Sequence, residues 1–149
     1  MRLTRTRRPA ARASIRLLSM SHHRKTVTAS DAPEAVGPYS HAVASNGLVF
    51  CSGQTPLDPS TGKLVEGSIG DRTRQCLENL NVVAAAAGAR LSDAVRMGIY
   101  VTDMSTFKDV NEAYGAYFES EPPARSTVGV AALPLGADVE IDAVIALPD

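Results

Sequence analysis

Cysteine is scarce in this chain. Cys51 and Cys76 are its only two in 149 residues, 25 positions apart, with no C-x-x-C. Two cysteines do not build a disulfide framework, and they read as buried reduced thiols suited to a reducing compartment. Aromatics are few, at 5%, beside 44% apolar and 21% charged residues, an ordinary balance for a soluble globular domain. No apolar run approaches the roughly 18 residues that a membrane-spanning helix requires. Acid is missing from the start of the chain, where the first carboxylate is Asp31. Six arginines (Arg2, Arg5, Arg7, Arg8, Arg12, Arg16) crowd in before Met20, so from Met20 onward 9 basic residues face 16 acidic ones, a net of −7. So acidic a body argues against nucleic acid as the main partner, because phosphate binding runs on Lys/Arg clusters.

The basic, Ser/Thr-containing, acid-free opening suits three readings. It is a mitochondrial transit peptide, a disordered arm, or an over-long start with Met20 as the initiator. The expected division is therefore a flexible extension over 1–24 and one domain over 25–149, long enough for a single hydrophobic core.

Within the body, Asn46-Gly47 sits between short alternating apolar runs, the strongest local hairpin signal, and predicts strands over 40–45 and 48–52. The Pro/Gly/Ser/Asp-rich stretch 53–67 is a loop. Ile69, Cys76, Leu77, Leu80, Val83, Ala84 and Ala87 form one helical stripe, with Gly88 as its stop, predicting a helix over 68–89. A β-branched strand is expected over 94–104, then a Ser- or Thr-capped helix over 105–120 carrying Phe107, Val110, Tyr114 and Tyr117/Phe118 and ended by Pro122. Strands over 125–133 and 138–147 close the chain. The order β-β-α-β-α-β-β predicts an α+β domain, a mixed sheet of four to five strands with two helices on one face.

Alternation along a strand separates two faces. Val139, Ile141, Ala143, Ile145 and Leu147 share one, and Asp138, Glu140, Asp142, Val144 and Ala146 the other. Val128 and Val130 share one face of the preceding strand, and Arg125, Thr127 and Gly129 the other. Packing the apolar faces under the helices sends Arg125, Thr127, Glu140 and Asp142 to the open face. If these two strands form a hairpin, a guanidinium and a carboxylate come within reach there. A solvated Arg–Glu pair is worth little. However, Val144, Ala146 and Gly129 make that face too apolar for water alone, which asks for a partner sheet and hence an oligomer. Charges buried at such an interface need partners or ligands.

The stretches GPYSHAV, SGQTPLDPSTGKL, QCLENLNVVAAAAG, VNEAYGAYF, PPARSTVGVAALP and VEIDAVIA, in register from about residue 26 to the end, together resemble the RidA/YjgF family of reactive-intermediate deaminases. The resemblance implies a chorismate-mutase-like fold, a homotrimer with clefts between subunits, and no metal or organic cofactor. The activity it implies is hydrolysis of 2-imino and enamine acids, such as 2-aminoacrylate, to 2-oxo acids and ammonia, which protects pyridoxal-phosphate enzymes. By position it puts a carboxylate-binding arginine at Arg125 and a water-positioning acid at Glu140. It also puts a cleft tyrosine at Tyr39, a backbone-donating loop at Ser52, Gly53 and Gln54, and a polar helix residue at Asn111. Without it, Tyr39 reads as a packed aromatic, Asn111 as a surface residue and Gly53 as a turn former. The chain departs at Thr127, where many members carry cysteine. No thiol nucleophile is available there, though a hydroxyl still hydrogen-bonds a ligand.

Arginine suits an imino acid because its planar fork meets a carboxylate with two charge-assisted hydrogen bonds, and Pro122-Pro123 stiffens the approach to Arg125. Two rivals remain on this fold: a non-catalytic 2-oxo acid binding regulator, and an RNA-cleaving protein, which the acidic body argues against. The expected location is the cytoplasm, or the mitochondrial matrix if the opening segment is a transit peptide.

Overall fold

The computed structural model describes residues 23–148, so almost all of the expected extension over 1–24 lies outside the described residues. Eight strands and helices follow in the order β1 (Lys25–Val27), β2 (Ala42–Ser45), β3 (Leu48–Gln54), α1 (Ile69–Ala86), β4 (Ala94–Val101), α2 (Phe107–Tyr117), β5 (Ala124–Gly129) and β6 (Val139–Ala146). The sequence-based order lacked β1, whose three residues are too short to show a period.

The β2–β3 hairpin turns at Asn46 (φ 51°) and Gly47 (φ 76°), both left-handed as a two-residue turn of this kind needs. α1 opens on a reciprocal capping box between Ser68 and Asp71. It closes through the Ala89 N–H to Ala84 and the Gly88 N–H to Ala85, with Gly88 left-handed at φ 78°. At the start of α2, Thr106 occupies the cap position without a side-chain capping bond, its hydroxyl donating back to the Asp103 carbonyl at 2.7 Å, and the Asp103 side chain accepts from the Ser105 N–H.

The six strands form one sheet in the order β1-β2-β3-β6-β4-β5. β6 runs antiparallel between β3 and β4, and β5 pairs parallel with β4. The β5–β6 hairpin on which an Arg125–Glu140 approach is conditional does not form, because β4 lies between the two strands. A strand–helix–strand unit such as β4-α2-β5 returns parallel, which leaves the place beside β6 to β4.

α1 crosses β3 and β6, and α2 lies beside α1. Beneath them, Leu77, Leu80, Met97, Ile99, Ile141 and Ile145 are fully buried. The parity expected for β6 holds: Val139, Ile141, Ala143 and Ile145 are buried under the helices, and Glu140 and Asp142 alternate with them. For β5 it is inverted. Arg125 is in register with buried Met97, and Thr127 with buried Ile99, so both face the helices, while Val128 is aligned with Tyr100 on the open side. β5 is an edge strand at the border of the helical layer, so its helix-side positions need not be apolar. The apolar residues of the open face thus include Val43, Leu48, Phe50, Val128, Val144 and Ala146, without Gly129.

Candidate active site

Five of the eight residues singled out from the sequence meet in one cavity of about 230 Å³: Tyr39, Ser52, Gly53, Gln54 and Glu140 line it, joined by His41. A bulge in β3 makes this possible. Cys51 pairs with Ala143 and Gln54 with Ile141, three steps on β3 against two on β6, so the ladder skips Ser52 and Gly53. Glu140 lies directly over Gly53, and a Cβ there would overlap its carboxylate. Glycine at 53 leaves the space that the Glu140 carboxylate occupies, and a larger residue would push that carboxylate aside. Burial, and then the neighbouring Asp142 charge, push the Glu140 carboxyl above the usual glutamate value. Asp142 itself accepts from the Tyr100 hydroxyl at 2.9 Å and lies 3.6 Å from the Arg96 guanidinium.

The cavity wall is held by a residue that sequence reasoning passed over. His41 is 6% exposed, and both of its ring nitrogens are engaged. Nδ1 accepts from the Ala29 N–H at 3.1 Å, which puts the proton on Nε2, and Nε2 donates to the Pro33 carbonyl at 2.9 Å. The same segment is tied to β3 by the Ser52 N–H to the His41 carbonyl (2.9 Å) and the Ser52 hydroxyl to the Ser40 carbonyl (2.7 Å). From the other side, buried Asn79 on α1 donates to the carbonyls of Thr55 and Leu57. Arg72 pairs with Asp138 at 2.6 Å and also reaches the Val65 carbonyl, fixing the 55–68 loop against the start of β6.

The other three expected residues, Arg125, Asn111 and Thr127, gather elsewhere, at the α2 edge of the sheet. The Arg125 guanidinium lies over the Tyr114 ring, 4.7 Å from its centroid, and 5.9 Å from that of Phe107. Among the described residues it has no acidic partner. Asn111 stands on α2 between these two rings, one helical turn from each. The hydroxyls of Thr127 and Tyr114 are buried without a hydrogen-bond partner. Phe107 and Tyr114 were legible only as an apolar stripe, because their contact with Arg125 depends on the register of β5.

Arg125 and Glu140 thus stand on opposite faces of one sheet with β4 between them. One part of the molecule offers an unpaired cation on an aromatic bed, and the other a half-desolvated acid in a cavity. The two thiols take part in neither. Both are buried, and burial pushes Cys51 up to about 12.

If His41 holds the cavity wall, His41→Ala orphans the Ala29 N–H and the Pro33 carbonyl and costs about 1–3 kcal/mol in urea denaturation. Hydrogen exchange should rise across 28–40. His41→Gln, which keeps a donor and an acceptor, should recover part of the loss. An alanine variant as stable as the parent would refute the assignment.

A family model described as Endoribonuclease L-PSP matches residues 29–147. The chain is 44% identical over 135 residues to Reactive Intermediate Deaminase A, chloroplastic, of Arabidopsis thaliana, covering 91% of this chain and 72% of that protein. It is 43% identical over 121 residues to the 2-iminobutanoate/2-iminopropanoate deaminase of Mus musculus, covering 81% and 90%. The crystal structure of the YjgF gene product from E. coli superposes with a TM-score of 0.77 at 35% identity, covering 82% of this chain and 98% of that one. Together with the single mixed sheet and its two helices, these matches show that the chain belongs to the RidA/YjgF family.

Proposed function

We propose that this protein hydrolyses small 2-imino and enamine acids to 2-oxo acids and ammonia, without metal or organic cofactor, in a site completed between copies of the chain. The observation that carries this reading is the Glu140 carboxyl, raised in pKa and pressed over Gly53 in a cavity large enough for a small acid. The names of the mouse and Arabidopsis relatives support it.

Arg125, unpaired within its own chain and oriented by Phe107 and Tyr114, takes the substrate carboxylate through two parallel hydrogen bonds. Thr127 and Asn111 border the same anion. Because Arg125 and Glu140 lie on opposite faces of one sheet, the pair is assembled between neighbouring copies. The exposed Phe50 and Val128 of the open face, 47% and 44% accessible, supply apolar contact area for that assembly. A homotrimer is the arrangement the family resemblance implies.

An enamine first takes a proton from water on its terminal carbon and gives up one N–H proton to water, becoming the neutral imine. Glu140, as carboxylate, holds a water against C2. As the new C–O bond forms, the C=N π electrons pass to nitrogen, and Glu140 accepts a water proton. Glu140 returns that proton to nitrogen to give the neutral carbinolamine, then takes the hydroxyl proton and passes it to nitrogen as the C–N bond breaks, leaving the 2-oxo acid and ammonia. The imine is already electrophilic, so positioning supplies most of the acceleration. Tyr39 and the backbone of Ser52, Gly53 and Gln54 orient the substrate and the intermediate. We place the protein in the cytoplasm, with the mitochondrial matrix as the alternative if the Arg-rich opening segment is a targeting peptide.

The test generates imino acids in place from L-amino acids with an amino acid oxidase and traps survivors with semicarbazide. The parent should suppress the semicarbazone signal, and Arg125→Ala and Glu140→Gln should each lose about 100-fold or more. If the parent leaves the signal untouched yet binds a 2-oxo acid, the regulator reading replaces this one.

The pH dependence has a defined sign. Glu140 acts as carboxylate, so kcat/KM should rise with pH through a limb above the ordinary glutamate value. Asp142→Asn removes a like charge, makes Glu140 easier to ionise, and should move that limb toward lower pH. A raised native pKa also means that Glu140 favours the folded state less as pH climbs past its unfolded value. Glu140→Gln should therefore be inactive yet at least as heat-stable as the parent at neutral pH. A limb that stays in place in Asp142→Asn would contradict the assignment.

A further inference from the structure

Leu135 holds a backbone conformation its side chain disfavours, φ 60° and ψ 17°, within the short 3-10 turn Pro134–Gly136. A residue with a Cβ pays about 1–2 kcal/mol there, and glycine or asparagine normally fills such a place. Leu135 is also 56% exposed, so its isobutyl group adds nothing to the core. It lines the cavity that Glu140 faces, as does Val36, which is 65% exposed. Neither folding nor solubility accounts for an apolar side chain that is strained, wet and aimed at a cavity. Strain of this kind persists where a function retains it.

We propose that Leu135 and Val36 form the subsite for the substrate's aliphatic side chain and bias the protein toward 2-imino acids with branched or longer aliphatic groups over the imine of alanine. The proposal rests on the deaminase reading above. C2 of an imino acid is planar, with three substituents. The carboxylate goes to Arg125, and the nitrogen stays beside the Glu140 water. The third substituent then points away from both, toward the wall made by Leu57, Pro134, Leu135 and Val36. Glu34 lines the same cavity and disfavours acidic side chains there. A methylene group in an apolar pocket discriminates about 10-fold or more when fully enclosed. A wall this exposed gives less, about 5-fold in favour of the leucine-derived substrate.

The test compares Leu135→Asn and Leu135→Gly with the full-length parent. Both replacements suit the left-handed conformation, so the fold is kept while the apolar surface goes. Two ratios are read: kcat/KM for the imines of leucine and alanine, and Kd for the corresponding 2-oxo acids by calorimetry. The parent should favour the leucine-derived ligand in both, and each variant should lose about 5-fold of that preference with its solution mass unchanged. Unchanged ratios, a parent with no such preference, or a variant of altered mass would overturn the proposal, the last because Leu135 would then seal a contact between copies. If no imine is turned over but the Kd ratio behaves as stated, the subsite stands and the deaminase reading falls. If neither 2-oxo acid binds the parent, the subsite falls.

Discussion

The alternation of β6 is the constraint on which the rest of the molecule depends. Its even and odd positions face different worlds: Val139, Ile141, Ala143 and Ile145 anchor the core under α1, while Glu140 and Asp142 emerge on the other side of the same backbone. A slip of one residue would bury two carboxylates and expose four apolar side chains. The burial that folds the domain therefore also fixes where Glu140 emerges. Pairing with β3 on one flank and β4 on the other leaves β6 no freedom of register.

The cavity follows from what is laid against that strand. The bulge at Ser52 and Gly53 lets β3 turn aside where Glu140 needs room, and the missing Cβ at 53 leaves space for its carboxylate. The flanking segments are irregular, so side chains hold them in place of ladders. His41 ties the 29–33 stretch, Asn79 the 55–57 stretch, and Arg72 the loop that enters α1. Each of these three side chains answers backbone groups of an irregular segment. The raised Glu140 pKa is a consequence of this enclosure together with the Asp142 charge.

Much of this was legible in the sequence wherever one signal dominated. The Asn46-Gly47 turn, the α1 stripe and the faces of β6 all came from local chemistry or strict period. β5 did not. Its Arg125 and Thr127 look like outward residues by polarity, yet they face α2, because an edge strand lies only partly under the helices and a guanidinium can rest on Phe107 and Tyr114. The pairing of β5 was also beyond local reading, since it depends on α2 carrying the chain back parallel to β4. His41 gave only the faint signal of a lone histidine after Gly-Pro-Tyr, because its partners at 29 and 33 are fixed by tertiary structure. The family resemblance named Arg125 and Glu140 together, and the fold shows why one chain cannot unite them.

That separation makes the shared site the central claim, and mixing subunits tests it most directly. Arg125→Ala and Glu140→Gln chains, each inactive alone, are unfolded together, refolded as a mixture and assayed for imine hydrolysis. A site shared between copies predicts that activity returns, because some interfaces then join an intact Arg125 from one chain to an intact Glu140 from its neighbour. If refolded mixtures of confirmed mixed composition stay as inactive as either variant alone, the two residues do not act across an interface, and the account fails.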